Sequence, residues 1–264
     1  MAINKNLFPV PPNSVYVWRG FMAPPPKTFE NFVSFLGSVF VPACAILQPP
    51  VGLRAYFTNV IPRNNKPASV PDQTALMFWA TPQSHDLAKE ALAVRIYQNL
   101  HGDVYDMKRS GTQEVPVLLP SSESGFITEQ PYYLFEESAD WMKGKVQHVV
   151  GARPENISTA DFLASIYKWA SDFKNNKPNG VDGALVCCGN DYALAWVHTS
   201  GAAIGFSKIL KGFASLVQIQ LQVSPRSQKL KAGLWNNWAG LDLTLSENTS
   251  LNFQFKRKPD TNPS

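Results

Sequence analysis

Two short stretches constrain this chain more than any others: VYVWRGFM at 15–22 and TALMFWA at 74–80. In an extended strand, successive side chains point to opposite faces. Val15, Val17 and Phe21 therefore oppose Tyr16 and Trp18, while Ala75, Met77 and Trp79 oppose Leu76 and Phe78. Both faces of each strand are apolar. A sheet with helices on one side and water on the other alternates apolar with polar, and these strands do not. Their sheet must be covered twice, so the chain has to supply a second covering layer.

The order of elements indicates where that layer comes from. Phe29, Phe32, Val33, Leu36, Val39, Phe40 and Ala43 recur at three- and four-residue steps, a helix stripe over 27–47 that Pro42 bends or ends early. Strands follow at 53–61 and 74–80. Thr81 then reads as an N-cap with Pro82 at the first helical position. The helix it starts runs to about Leu100, with Leu87, Ala91, Val94 and Gln98 along one side, and EVPVLLP at 114–120 is a closing strand. This is the β-α-β-β-α-β order of a ferredoxin-like unit.

The same order then recurs. A strand at 141–152 leads to a helix opened by Ser158 and Asp161 as a capping box and carrying Phe162, Ile166, Trp169 and Phe173. GALVCCG and YALAWVHT are strands joined by a tight Gly-Asn-Asp turn, and a second helix, SGAAIGFSKILKGFASL, precedes a strand at 217–224. That last strand alternates Gln218, Gln220 and Gln222 with Ile219, Leu221 and Val223, the pattern of a half-exposed strand. LDLTL and LNFQF make a hairpin suited to cover a sheet edge.

The expected fold class is α+β: two ferredoxin-like βαββαβ units packed sheet to sheet as an intramolecular α+β barrel, with a C-terminal β-hairpin. Unit 1 spans 14–120, a connector 121–140, unit 2 141–224, and the hairpin and tail 225–264. A chain that carries both halves is expected to be a monomer.

Composition narrows the function classes. The 264 residues, 44% of them hydrophobic, suffice for a large core. Part of the net charge of +4 comes from Lys256, Arg257 and Lys258, and no element concentrates basic residues, so no nucleic-acid partner is expected. Three cysteines make no disulfide framework, and the N-terminus lacks an apolar signal, which implies a cytoplasmic protein. The uncharged run 31–53 has the length of a membrane span. Pro42, Pro49, Pro50 and its polar residues favour a buried helix instead, so no membrane partner is expected. The four histidines show neither H-x-H nor H-x-x-x-H spacing, and Walker, Rossmann and G-x-S-x-G patterns are missing. Neither a metal nor another cofactor is expected.

Polar groups inside apolar strands mark candidate sites, because burial costs free energy unless they are paired or used. Arg19, Tyr56 and Asn59 are such groups in the first unit, and His148, Tyr192 and His198 in the second. His148, between Val146 and Val150 on one strand face, is either a general base or a hydrogen-bonded core residue. His198 ends its strand beside Thr199, at the place Ala80 holds in the first unit. Arg19 either binds substrate or neutralises Asp72 or Glu114.

The stretch FENFVSFLGSVFVPACAILQPPVGLRAYFTNV, followed by LMFWATPQSHDLAKEA, resembles the antibiotic-biosynthesis monooxygenase and EthD-like group of the dimeric α+β barrel superfamily. The shared features are the helix, the turn, the second strand, and a strand ending in Trp-x-Ser/Thr before a helix. The second unit shares only element order. The resemblance implies that Trp79 faces the space between sheet and helices where substrate binds. It also implies a cofactor-independent enzyme of secondary metabolism, an oxygenase, isomerase or cyclase, acting on a small apolar aromatic or polyketide-like molecule. His148, His198 and Tyr56 are then the candidate catalytic residues, with Trp79, Arg19, Asn59 and Tyr192 lining the substrate site.

The alternative is a non-catalytic carrier or assembly module that uses Trp235, Trp238 and the C-terminal hairpin as its contact surface. A haem enzyme is the third reading. The haem-degrading branch of the superfamily places an asparagine on the first strand and a histidine deeper in the helix after the tryptophan. This first strand has no asparagine, and His85 falls in the first helical turn.

Overall fold

The computed structural model describes residues 14–25, 27–61, 66–113, 116–136, 139, 141, 145–199, 212–213, 216, 218–223, 226–229 and 249–252. In chain order the strands are β1 (Val15–Gly20), β2 (Leu53–Val60), β3 (Gln73–Trp79), β4 (Gly111–Gln113), β5 (Val117–Leu118) and β6 (Tyr132–Tyr133). After these come β7 (Lys145–Ala152), β8 (Gly183–Cys188), β9 (Tyr192–Thr199), β10 (Gln218–Val223), β11 (Arg226–Lys229) and β12 (Thr249–Asn252). They form two six-stranded sheets, β11-β12-β2-β3-β1-β4 and β10-β7-β9-β8-β6-β5. Inside each lies the same antiparallel core order, fourth strand, first, third, second, which is that of a ferredoxin-like unit twice over.

The two sheets pack face to face. Val15, Val17, Phe57, Leu76 and Phe78 of the first meet Trp141, Val146, Val150, Leu185, Leu194 and Trp196 of the second half in one buried cluster. Phe78 and Trp141 lie 5.7 Å apart by ring centroid. All of β3 is buried, the two-sided burial its composition required. Its other face, with Ala75, Met77 and Trp79, packs under α1 (Phe29–Phe35), α2 (Val41–Leu47) and the helices after β3. Strand pairing among the described residues leaves the sheets separate, so the layers meet through side chains rather than through a closed backbone ladder.

Several elements depart from the sequence reading. The stripe over 27–47 is helical nearly throughout, but its middle, Leu36–Phe40, is a π turn in which the Val41 N–H reaches Leu36 O. Pro42 explains the position, since a residue without an amide hydrogen cannot continue the α ladder and the widened turn absorbs the defect. None of the described helices is long and apolar enough to cross a membrane. The helix after Trp79 is three: α3 (Pro82–Glu90), α4 (Leu92–Asn99) and α5 (His101–Val104). Ala91 is extended (ψ 123), which rotates α4 relative to α3. Ala88, Val94 and Tyr97 therefore face inward, and Leu87 stays 64% exposed.

The expected strand 114–120 contributes only Val117–Leu118, and these pair in the second sheet through β6. Pro116 and Pro120, which donate no hydrogen bond, bracket this short piece. The first sheet receives the matching addition. β12 pairs with β2, and β11 lies parallel outside it, as β5 lies parallel outside β6. Each half thus extends the other's sheet with the segment that follows its own fourth strand. In the second unit, α6 (Thr159–Asn175) is capped by Ser158 as its sequence indicates. It covers the far face with Phe162, Ile166 and Trp169. The second helix of that unit, the 241–245 arm of the hairpin and the exposure of β10 lie outside the described residues.

Because the interlayer core belongs to both halves, Trp196→Ala is expected to lower stability by about 3–5 kcal/mol. Urea unfolding followed in parallel by near- and far-UV circular dichroism should give one coincident transition. Two separated transitions, or a loss below about 1 kcal/mol, would show that the halves do not share this core.

Candidate functional site

The candidate residues separate onto the two faces of the first sheet. Tyr56 and Trp79 lie on the helix-covered face. Arg19, His148, Tyr192 and His198 lie in or beside the layer between the sheets, as does Asn59, which shares the face of Phe57 on β2.

In that interlayer the histidine on β7 is locked. His148 Nδ1 is 2.9 Å from Ala195 O, and since a carbonyl only accepts, Nδ1 carries the proton. Nε2 then accepts from the Thr74 hydroxyl at 2.9 Å, across the sheet interface. The ring stacks on Trp196 with centroids 4.3 Å apart. Burial pushes its pKa down to about 3. His198 faces Trp141, with Nδ1 3.5 Å from Asp182 Oδ2. Asn59 is buried, and neither atom of its amide has a partner among the described residues.

Arg19 donates to Tyr192 Oη at 2.9 Å and pairs with Glu129, which has a left-handed backbone (φ 70). Of the carboxylates named for Arg19, Asp72 instead pairs with Lys66 at 3.1 Å, and Glu114 lies outside the described residues. The arginine therefore ties β1 of one half to β9 of the other through a carboxylate on the connector.

The helix-covered face holds a different arrangement. A cavity of about 70 Å³ opens beneath α2 and α4, with Trp18, Phe40, Tyr56, Trp79, Tyr97, Tyr105, His85 and His101 on its walls. Gln73, fully buried on β3, organises its polar edge. Its Oε1 accepts from Trp18 Nε1 at 3.1 Å and from the Tyr105 hydroxyl, while its Nε2 donates to Tyr56 Oη at 3.2 Å and to Thr58 Oγ1 at 2.6 Å. All four hydrogen-bonding positions of the amide are used. Burial raises the Tyr56, Tyr97 and Tyr105 hydroxyls above their usual range, so near neutral pH they are proton donors and not bases.

The histidines are the bases of this cavity. His101 Nδ1 is 2.8 Å from Gln98 O, so this nitrogen carries the proton, and the Nε2 lone pair has no hydrogen-bond partner among the described residues. Its ring lies among Phe40 (4.6 Å), Trp18 (5.4 Å) and Tyr105 (5.7 Å). Burial lowers its pKa. His85, stacked on Tyr16 at 3.8 Å and edge-on to Trp79, is pushed down to about 4 by burial and then by Lys89. The Trp79 indole N–H is buried without an acceptor among the described residues.

Trp79 lies on the cavity wall between sheet and helices, together with His101, Tyr97 and Tyr105, which the sequence analysis did not single out. His101, Tyr97 and Tyr105 sit where α4 and α5 turn back over the sheet, and the Ala91 break before α4 carries no Gly or Pro signal. Cys187 and Cys188 face opposite layers, as their adjacency on a strand requires. Among the described residues, no group of three or more His, Cys, Asp or Glu could hold a metal ion.

No family model matches the chain, and no curated protein matches it. Two solved structures show distant structural similarity. One is a putative monooxygenase from Lactobacillus acidophilus NCFM, at 7% identity and TM-score 0.35, covering 78% of this chain and 89% of that one. The other is a putative monooxygenase from Fusobacterium nucleatum subsp. nucleatum ATCC 25586, at 10% identity and TM-score 0.34, covering 79% and 88%. At these values the likeness is remote.

Two outcomes follow from the local chemistry. The unfolded chain's His148 takes up a proton near 6.5, the folded one only near about 3, so the unfolded state binds more protons between these values. Stability should fall as pH drops below 6.5, with His148 contributing up to about 1.4 kcal/mol per unit. His148→Gln should flatten that slope in urea titrations at stepped pH, and an unchanged slope would assign the acid sensitivity elsewhere. Gln73→Leu, which strands the groups around it, should cost about 2–3 kcal/mol. A loss below about 0.5 kcal/mol would show that the amide does not organise the cavity.

Proposed function

We propose that the protein is a cofactor-independent enzyme of small-molecule metabolism, an oxygenase, isomerase or cyclase, and that its working site is the cavity beneath α2 and α4. The observation that carries this reading is His101: a neutral imidazole with its proton-bearing nitrogen anchored to Gln98 O and its lone pair uncommitted among the described residues, set among aromatic walls. Such a group accepts a proton from a phenolic or enolic substrate near neutral pH. The protonated phenol of Tyr56 supplies a donor to the oxyanion that results, in an apolar surrounding that strengthens the hydrogen bond. Trp79 forms the wall behind the reacting group. Oxygenation, isomerisation and cyclisation of such substrates all begin with this deprotonation.

His148 enters the proposal as a structural residue, since both ring nitrogens are already engaged. The cavity's volume admits only the reacting end of a substrate, well below the 300 Å³ or so of ordinary ligand pockets. The carrier reading is supported by the same apolar walls, but it gives the uncommitted base no task. Its proposed contact residues, Trp235 and Trp238, lie outside the described residues.

The test is native mass spectrometry of protein purified from its own host, to recover a bound small molecule, followed by turnover assays on that compound. His101→Asn should reduce kcat/KM about 10²–10⁴-fold, the contribution usual for general base catalysis. Because burial lowers the His101 pKa, the base form persists below 6.5, and the acid limb of kcat/KM against pH should fall below that value. Full activity of the His101→Asn variant, or a recovered ligand bound unchanged by Trp79→Phe, would remove the assignment. A Soret band in the purified protein would favour a haem enzyme instead.

A further inference from the structure

The inner cavity is too small to hold an aromatic ring, since even an engineered benzene site needs about 150 Å³. A second space of about 320 Å³ lies next to it, a groove lined by Lys27, Asn31, Phe32, Phe35, Ser38 and Asp103 among others. One layer of rings divides the two. Groove-lining Phe35 lies 5.9 Å from cavity-lining Phe40, and groove-lining Phe32 lies 5.6 Å from cavity-lining Tyr105. Phe40 ends the π turn, where the regular α ladder is already interrupted. Turns of this kind occur frequently at functional sites.

We infer that Phe40 is the specificity-determining residue between groove and cavity, and that the substrate is an aromatic head carrying a short, neutral, hydrogen-bonding tail. This rests on the cavity being the working site. The head displaces Phe40 and places its oxygen near His101, while the tail lies in the groove. The tail is neutral because the groove sets one cation, Lys27, against one anion, Asp103, and otherwise offers hydroxyl and amide groups. A carboxylate tail gains Lys27 and meets Asp103, and an ammonium tail does the reverse. A hydroxyl or amide tail meets no like charge and finds both donors and acceptors.

The experiment uses three para-hydroxyphenyl probes that differ only in the tail: an ethanol, an acetate and an ethylamine. Calorimetry on the wild-type chain should show the neutral probe binding at least about tenfold tighter than either charged one. Stopped-flow measurements should show Phe40→Ala, and less so Phe40→Leu, associating at least about tenfold faster, because the ring no longer has to move. Circular dichroism checks the fold of each variant, and the wild-type tail preference needs no variant. A charged probe binding as tightly as the neutral one overturns the tail assignment. Association rates unchanged in both Phe40 variants, with binding still weakened by Trp79→Phe, overturn the gate and leave the working site intact. Probe binding indifferent to Trp79→Phe removes the site itself, and the inference with it. No binding by any probe overturns the substrate class.

Discussion

The burial of two sheets against each other is the interaction on which everything else depends. Phe78, Leu76 and Val17 on one side and Trp196, Leu194 and Trp141 on the other exclude water from the whole interlayer. At roughly 1.5–3 kcal/mol for each large side chain removed from water, this is a major share of the folding free energy. The bond between Thr74 and His148 and the Arg19–Tyr192–Glu129 cluster add little net energy by comparison, but they fix register. A polar pair that matches only in one alignment makes every slipped alignment costly. The exchange of edge strands between the halves has the same effect, because neither sheet reaches its full width without the other half's chain.

The interlayer is filled by the shared core, and the helix-covered faces of the two halves differ. On β9 this face presents Ala193, Ala195 and Val197, small residues that let α6 settle closely with Phe162 and Ile166. On β3 the corresponding face presents Gln73, Met77 and Trp79, and the chain above it is interrupted at the π turn and at Ala91. Close packing is given up there, and a cavity with aromatic walls and a polar edge takes its place. One half is closely packed beneath its helix, and the other holds a cavity.

Much of this was legible in the residues. Two-sided apolar strands required a second layer, and the recurrence of one element order identified what supplied it. The caps at Thr81 and Ser158 were readable because an N-cap is a local contract between a side chain and an amide three residues on. The opposed placement of Cys187 and Cys188 followed from strand period alone. Other features were not local. Val117 and Leu118 read as the closing strand of the first unit, yet they extend the second sheet, because a strand's partner depends on which edge is open when the layers meet. His148 and His101 look alike as isolated polar residues near apolar neighbours. Only their surroundings distinguish them, since one has both nitrogens bonded and the other has one.

The sequence by itself therefore determined the period of each element, the doubling of the unit and the need for two covered sheet faces, since all of these follow from side-chain alternation along a few consecutive residues. Tertiary structure alone decided which strands cross to the other sheet, that Arg19 pairs with Glu129, and that His101 rather than His148 keeps a lone pair facing a cavity. The physical reason is distance along the chain. Burial and hydrogen bonding act between groups that meet only after the layers close, and no run of neighbouring residues records which groups those will be.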